Sequence, residues 1–239
     1  MMTNMTISGG HKAFWRIATL FVICTSAIPL FAQKDEEACL ANSAVAVQRV
    51  LSDSDGLPKM ILDKGYCVIV FPGVKKEANF PGSSYGKGAL VCRKGAEMDN
   101  TWSAPVMYAL DMTSLEFQVG STETDFVLVT MSRKGADQLL NGKVKLGSNV
   151  TSVKGPTGDR AASYYSVERN ADILIYSRLR APFSGVSLKR ASMGIDRGAN
   201  KAVYGDFKDS KDLIENSQGI IPAAKELVDL LDKTSPMRK

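Results

Sequence analysis

The chain has 239 residues, of which 44% are hydrophobic and 23% charged, a composition typical of one globular domain with a buried core. This balance excludes a largely disordered chain. The formal net charge of +5 is far below that of strongly basic nucleic-acid-binding domains, so nucleic acid is not an expected partner.

Residues 1–32 have the features of a secretory signal. Two basic residues precede an apolar run over 17–30, and a polar segment follows directly. Because the run is short for a bilayer span, we predict cleavage after Ala32 and export to the periplasm or cell envelope, with membrane association open. Leu30 is a poor residue three positions before a cleavage point, so a retained N-terminal anchor stays open. Cys24 follows branched residues rather than a small one, and a lipoprotein is not predicted.

The mature chain is predicted to be one domain over residues 33–239 that begins with two helices. Removing the signal takes away two basic residues and no acid, which leaves a net charge of about +3. Residues 36–53 place Leu40, Val47 and Leu51 at helical spacing. This helix lacks the basic face and bulky apolar side of interfacial helices, so we expect it to pack on the sheet. A short second helix starts at Pro58.

Strands 66–71 and 89–92 flank the loop that we predict to be the binding site. The first is an unbroken apolar run bounded by glycine and proline, which favours a buried strand. The loop combines lysines with two aromatic residues, a composition suited to a membrane interface. With neighbouring basic residues, the predicted lipid-binding residues are Lys75, Lys76, Phe80, Tyr85, Lys87, Lys189 and Arg190.

The remaining elements predict an α+β fold. We expect strands at 102–110, 114–120, 126–131, 143–153, 173–177 and 186–188, and helices at 133–141, 196–204 and 222–231. Short strands without long intervening helices favour a curved antiparallel sheet, open or closed towards a barrel, flanked by the N-terminal helices and the C-terminal helix. The apolar runs 66–71 and 126–131 should be central strands.

Three cysteines remain in the mature chain, and their odd number requires at least one unpaired thiol. Cys67 and Cys92 lie on the two strands of the predicted hairpin and could face each other. An oxidising compartment favours a disulfide between them. A cysteine inside a Val/Ile run is more commonly a small buried hydrophobe, so both possibilities stay open.

Several catalytic chemistries are excluded by composition. The single histidine, His11, lies within the signal, which removes Ser-His-Asp and Cys-His catalysis and histidine-ligated metal sites. The cysteine spacing gives no zinc site, and no cofactor is expected. Ser84 and Lys87 fit S-x-x-K formally, but glycines on both sides argue against the helix which that motif requires.

Four segments, in order and spacing, resemble the SYLF-domain family, a lipid-binding module first described with actin-associated yeast proteins and common among exported bacterial proteins. The resemblance covers 57–205, and its segments are 65–72 with 82–86, 101–105, 117–120 followed by 125–129, and 176–178 with 183–188. Two departures are Lys189-Arg190, where the family usually has an acid and glycine, and 111–114, where it is glycine-rich. The resemblance implies a non-enzymatic protein that binds anionic phospholipid. Actin is not an expected partner for an exported protein.

Glu123 and Asp125 carry the alternative function. Residues two apart on a strand point to one face, so these carboxylates could form an acid/base pair or a calcium site in an envelope enzyme or calcium-binding protein. We favour a structural role for Asp125, because the resembling family places an acid there, at the head of a buried strand, where it can cap a turn.

Overall fold

The computed structural model describes residues 28–54, 56–76, 84–112, 123–148, 150–155, 170–179, 188, 191–216 and 219–239. Within these ranges the helices are α1 (Ile28–Ser52), α2 (Lys59–Lys64), α3 (Arg133–Leu140), α4 (Arg197–Tyr204), α5 (Ser210–Asn216) and α6 (Pro222–Thr234). The strands are β1 (Cys67–Lys76), β2 (Ser84–Cys92), β3 (Val106–Met112), β4 (Thr124–Thr130), β5 (Val144–Lys145), β6 (Ser152–Lys154), β7 (Ile173–Leu179) and β8 (Ser192–Ile195).

All these strands form one sheet in the order β5-β8-β3-β2-β1-β4-β7-β6. Every pair is antiparallel except β6 with β7, and the sheet curls into a half-barrel. Bulges in β1 between Phe71 and Val74 contribute to this curvature, because a bulge bends and twists its strand. The apolar runs 66–71 and 126–131 form β1 and β4, in the middle of the sheet as predicted.

Both faces of the sheet are buried, which explains why its central strands are apolar throughout 67–71 and 126–129. Val68 and Val70 face a core that includes residues of α1, α2, α4 and α6. Ile69 and Phe71 alternate to the other face, where α3 and α5 contribute. The predicted α+β architecture is therefore confirmed.

The first helix packs on the sheet as predicted. Leu40 and Val47 are completely buried, whereas Leu51 is only partly buried. Within the described residues α1 already runs from Ile28, so the helix extends further towards the N-terminus than the predicted start at residue 36, and nothing in 30–35 breaks it. Within the described ranges, no helix has the length and hydropathy needed to cross a membrane.

Three sequence predictions of secondary structure need correction. Residues 143–153 form two short strands rather than one, because the chain turns at Gly147 (φ 76°) and delivers β5 and β6 to opposite edges of the sheet. Helix α5 and strand β8 were missed, and Leu188, the described part of 186–188, is not in a strand. The predicted strand 102–110 begins only at Val106. The predicted strand 114–120 lies outside the described residues.

Cys67 and Cys92 occupy directly opposed positions on β1 and β2 and form a disulfide. Cys39 is the free, buried thiol that the odd count required. Burial, followed by the nearby charge of Glu36, raises the pKa of the Cys39 thiol to about 12, so this cysteine stays protonated and unreactive.

A buried carboxylate joins three segments beside α3. Asp172 accepts hydrogen bonds from Ser132 Oγ (2.6 Å) and from both the amide and the hydroxyl of Thr151 (2.9 Å each). Burial alone would raise the pKa of Asp172, but these hydrogen bonds and the charge of Lys134 outweigh it and hold the pKa below its ordinary value. The ionised carboxylate therefore stabilises the fold.

The C-terminal residues cover the end of the sheet where β1 starts and β2 finishes. The buried guanidinium of Arg93 lies 3.9 Å from the centroid of the Trp102 ring and donates to Ser235 O (2.8 Å) and Oγ (2.6 Å). Burial lowers the pKa of Arg93 to about 10, so it remains charged at neutral pH. Arg238 lies over the ring of Tyr66 at 4.1 Å, and this end of the sheet is closed.

Candidate functional site

Three chain connections leave and re-enter the sheet at its other end. They join β1 to β2, β3 to β4 and β7 to β8, so the residues that precede and follow them lie together. We call this the hairpin end, defined by Lys76, Ser84, Met112, Thr124, Leu179 and Ser192. Connections that gather at one end of a rigid sheet are a common position for binding residues.

One cross-strand row at the hairpin end brings predicted site residues together. Lys75 pairs with Tyr85, Tyr85 with Asp111, Asp111 with Ser192, and Ser192 with Lys145. Neighbouring strands are roughly 4.8 Å apart, so the row spans about 20 Å. Residues far apart in sequence are thus neighbours at one end of the molecule.

The structure describes some of the predicted lipid-binding residues and not others. For Lys75, Lys76 and Tyr85 it defines the backbone position in the row or directly beside it. Phe80, Lys189 and Arg190 lie outside the described residues. The lipid-binding role of these residues remains a prediction.

Lys87 is engaged by an acid of α1. Its Nζ lies 2.6 Å from Glu36 Oε1, and the Glu36 side chain is 4% exposed while that of Lys87 is 41% exposed. Burial would lower the pKa of Lys87, but the hydrogen bond and charge of Glu36 outweigh it and raise the pKa. A ligand that uses Lys87 must share it with this carboxylate.

Two further ion pairs fix α1 across the hairpin end. Arg49 Nη1 lies 3.3 Å from Asp125 Oδ2, and Arg178 Nη1 lies 2.9 Å from Asp53 Oδ2. Together with the pair at Lys87, these contacts run from β2 to β7. Arg178 therefore helps to fix the C-terminal end of α1 against the sheet.

The structural interpretation of Asp125 is confirmed. The residue is completely buried as the second residue of β4, and its Oδ1 accepts a hydrogen bond of 2.7 Å from the amide of Gly73 in the bulge of β1. Glu123 lies before the strand and is partly exposed. Within the described ranges no group of three His, Cys, Asp or Glu residues is placed to hold a metal ion. Ser84 and Lys87 both lie on β2, so S-x-x-K does not begin a helix.

A groove of about 580 Å³ opens beside the row, along the outer edge of β8. Its walls are the start of α4, the start of α5 and the 140–143 connection. Its three basic residues, Lys143, Arg197 and Lys211, are all exposed, and two carboxylates, Asp111 and Asp209, also line it. We call this cavity the β8 groove; its lining residues are Ala109, Asp111, Leu140, Asn141, Gly142, Lys143, Ser192, Met193, Gly194, Ile195, Arg197, Asp209, Ser210 and Lys211.

Two polar side chains of the β8 groove are engaged in local structure. Ser210 Oγ donates to Leu140 O (2.8 Å), and Asp209 Oδ1 accepts from the amide of Asp212 (2.8 Å). The hydroxyl and the carboxylate oxygen are therefore used in holding the start of α5. Neither histidine nor cysteine is present among the lining residues.

The family model described as Ysc84, Las17-binding protein actin regulator, matches residues 112–234, which is half of the chain. The chain belongs to the Ysc84 family. This membership confirms the resemblance to SYLF domains. The matched residues include β4 to β8 and most of the groove lining, whereas the β1–β2 hairpin and all of β3 except Met112 precede them.

Relatives of the Ysc84 domain occur in fungi and mammals. Protein YSC84 of Saccharomyces cerevisiae is 28% identical over 206 residues, covering 85% of this chain and 43% of the relative. SH3 domain-containing protein PJ696.02 of Schizosaccharomyces pombe is 28% identical over 78% of this chain and 43% of its own length. The human SH3 domain-containing YSC84-like protein 1 is 24% identical, with coverages of 62% and 42%. The chain thus spans less than half the length of each of these relatives.

Sequence reasoning missed two of the groove cations. Arg197 and Lys211 were not predicted as site residues, although each follows an aspartate close to the start of a helix. One of these aspartates, Asp196, caps α4 by accepting a hydrogen bond from the amide of Ala199 (2.9 Å). Such caps predict helix starts but not their position in the fold. Only the packing of α4 and α5 beside β8 brings these two residues of the Ysc84 domain to one groove.

Proposed function

We propose that this Ysc84-family protein is an exported, non-enzymatic module that binds anionic phospholipid at the cell envelope through the hairpin end of its sheet. The observation that carries the proposal is the cross-strand row. It places Lys75 and Lys145 at its two ends, with Tyr85 and Asp111 between them, and Lys189 and Arg190 precede the start of β8 by two or three residues. Cations gathered at one end can act together on an anionic surface, each worth on the order of 1 kcal/mol.

The three connections add an apolar component to this proposal. By sequence, each carries one phenylalanine: Phe80, Phe117 and Phe183. The described surface has few large exposed apolar side chains, and those at Met60, Ile220 and Met237 are not part of the hairpin end. Aromatic residues beside lysines are a composition that membrane interfaces favour.

The disulfide supports the exported location. Disulfides form and persist in oxidising compartments and are rare in the cytosol, and the Cys67–Cys92 pair is buried on opposed strands. The family description names actin regulation and Las17 binding. An exported protein would not meet cytosolic actin, so lipid is the partner that we propose.

Co-sedimentation of the mature protein with vesicles tests the proposal. We expect binding to phosphatidylglycerol vesicles at low salt and none to phosphatidylcholine vesicles. The variant Lys75→Glu/Lys76→Glu should lose at least about 2 kcal/mol, roughly 30-fold in partitioning. A matched control, Lys225→Glu/Lys233→Glu on the exposed face of α6, changes the net charge equally and should bind like the parent.

The salt dependence separates two modes of binding. Electrostatic binding should weaken strongly in 0.5 M salt, where the Debye length is only a few ångströms. Binding that persists in high salt but is lost in Phe80→Ser would indicate apolar insertion by the same loop. The absence of binding to anionic vesicles at low salt would refute the proposal.

A further inference from the structure

The β8 groove exists because β5 covers only part of β8. The described pairs between them are Val144 with Met193 and Lys145 with Ser192. Beyond Met193 the outer edge of β8 is lined instead by the 140–143 connection and the starts of α4 and α5. Gly194 of β8 pairs with Ala109 of β3. Because both residues are small, their side chains leave space open at this point of the groove.

The groove combines an apolar floor with a cationic rim. Leu140 and Ile195, which are only partly buried, contribute apolar surface, whereas the Met193 side chain is buried in the core. Lys143, Arg197 and Lys211 stand exposed around it. A volume of about 580 Å³ lies within the range of small-molecule sites, which are usually apolar with a few placed polar groups.

The two acids of the lining do not cancel this cationic character. Asp209 uses one carboxylate oxygen to cap α5, and the three cations exceed the two carboxylates by one charge. We propose that the β8 groove binds one molecule of a single-chain anionic amphiphile. Its acyl chain lies over Leu140 and Ile195, and its phosphate or carboxylate lies among the three cations.

This inference shares the anionic lipid class with the proposed function but concerns a separate place and a different mode. Vesicle binding at the hairpin end is adsorption to a surface, whereas the groove would take up one monomer from solution. The groove holds a single ligand in a protein-lined cavity, so its binding must saturate at one molecule per chain. A substitution inside the groove can therefore affect one activity and spare the other.

Calorimetric titration of the full mature protein with monomeric decyl phosphate tests the inference. We expect saturable binding with one site per chain. Decanol lacks the charged head and inorganic phosphate lacks the chain, so each should bind at least tenfold more weakly. Equal binding of inorganic phosphate, or stoichiometry well above one, would overturn the inference.

Gly194→Val should narrow the groove on the side of Lys143, since residue 194 points to the opposite face of β8 from Ile195. A Cβ at Gly194 would lie 3.4 Å from Lys143 Cα, and a branched side chain there would project against the groove wall. The backbone of Gly194 does not need glycine, because its φ is not positive, and valine suits a strand. We expect at least a tenfold loss of decyl phosphate binding with vesicle co-sedimentation unchanged.

Lys211→Glu keeps the test independent of any folding defect in Gly194→Val, because its side chain is exposed. It should weaken decyl phosphate at least tenfold, while Lys233→Glu on α6 should not. The inference would be overturned if Lys211→Glu and a correctly folded Gly194→Val both bound decyl phosphate as tightly as the parent protein. If the parent protein ignores anionic vesicles but binds decyl phosphate in this manner, the proposed function fails and the groove assignment stands.

Discussion

The contact of Asp125 with Gly73 predicts a large and local loss of stability. In Asp125→Ala the amide of Gly73 loses its acceptor in a partly buried bulge. A hydrogen bond to a charged group contributes about 1.5–3 kcal/mol, and an unsatisfied buried donor costs a similar amount. The pair with Arg49 adds less than about 1 kcal/mol, because the arginine side chain is 45% exposed.

We therefore expect Asp125→Ala to lower the free energy of unfolding by about 2–4 kcal/mol, which for a domain of this size is a Tm lower by roughly 5–15 °C. Urea denaturation followed by circular dichroism measures the first quantity and calorimetry the second. Asp125→Asn keeps an oxygen for Gly73 and should lose about half as much. Asp229→Ala, which removes an exposed α6 pair with Lys225, is the control and should change stability by less than about 0.5 kcal/mol. A loss that small in Asp125→Ala would refute the structural role, and a calcium-dependent rise in Tm that Asp125→Asn abolishes would favour the alternative calcium site.

Three other predictions follow from the fold. Cys67→Ala/Cys92→Ala should lower the free energy of unfolding by about 3–4 kcal/mol, because the disulfide closes a loop with a sequence separation of 25; a loss below about 1 kcal/mol in denaturant titration would contradict this. The depressed pKa of Asp172 contributes stability that is present above its unfolded pKa of about 3.9 and is lost as the pH falls through its folded pKa, so Asp172→Asn should be less stable at pH 7 and show a flatter stability profile below pH 4. Deleting residues 33–53 should severely destabilise the chain, because completely buried Leu40 and Val47 contribute about 1.5–3 kcal/mol each; a truncated protein that melts like the parent but no longer binds vesicles would instead make α1 the membrane-binding element.

The sequence alone determined those features that depend on local pattern. Unbroken apolar runs at 66–71 and 126–131 required burial on both faces, and only central strands of a covered sheet provide that. After the predicted cleavage, at least one of the three remaining cysteines has to stay unpaired, and among the described residues Cys39 is the free thiol. The family resemblance implied a turn-capping role for Asp125, but its partner, the amide of Gly73 in the bulge of β1, is 52 residues away and was decided by the tertiary structure.

Tertiary structure decided what depends on register and on contacts between distant segments. The order of strands places Tyr85, Asp111 and Ser192 in one row, and no local pattern specifies which strands pair. The partner of Lys87 is Glu36, 51 residues away, so the sequence could identify a lysine beside aromatics but not its neutralisation by a buried acid. The single strand predicted over 143–153 is two strands at opposite edges of the sheet, separated by the turn at Gly147. Strands this short contain too few residues for apolar periodicity to distinguish them from a turn. The β8 groove likewise depends on tertiary structure, since a cavity is the space that packed elements leave between them.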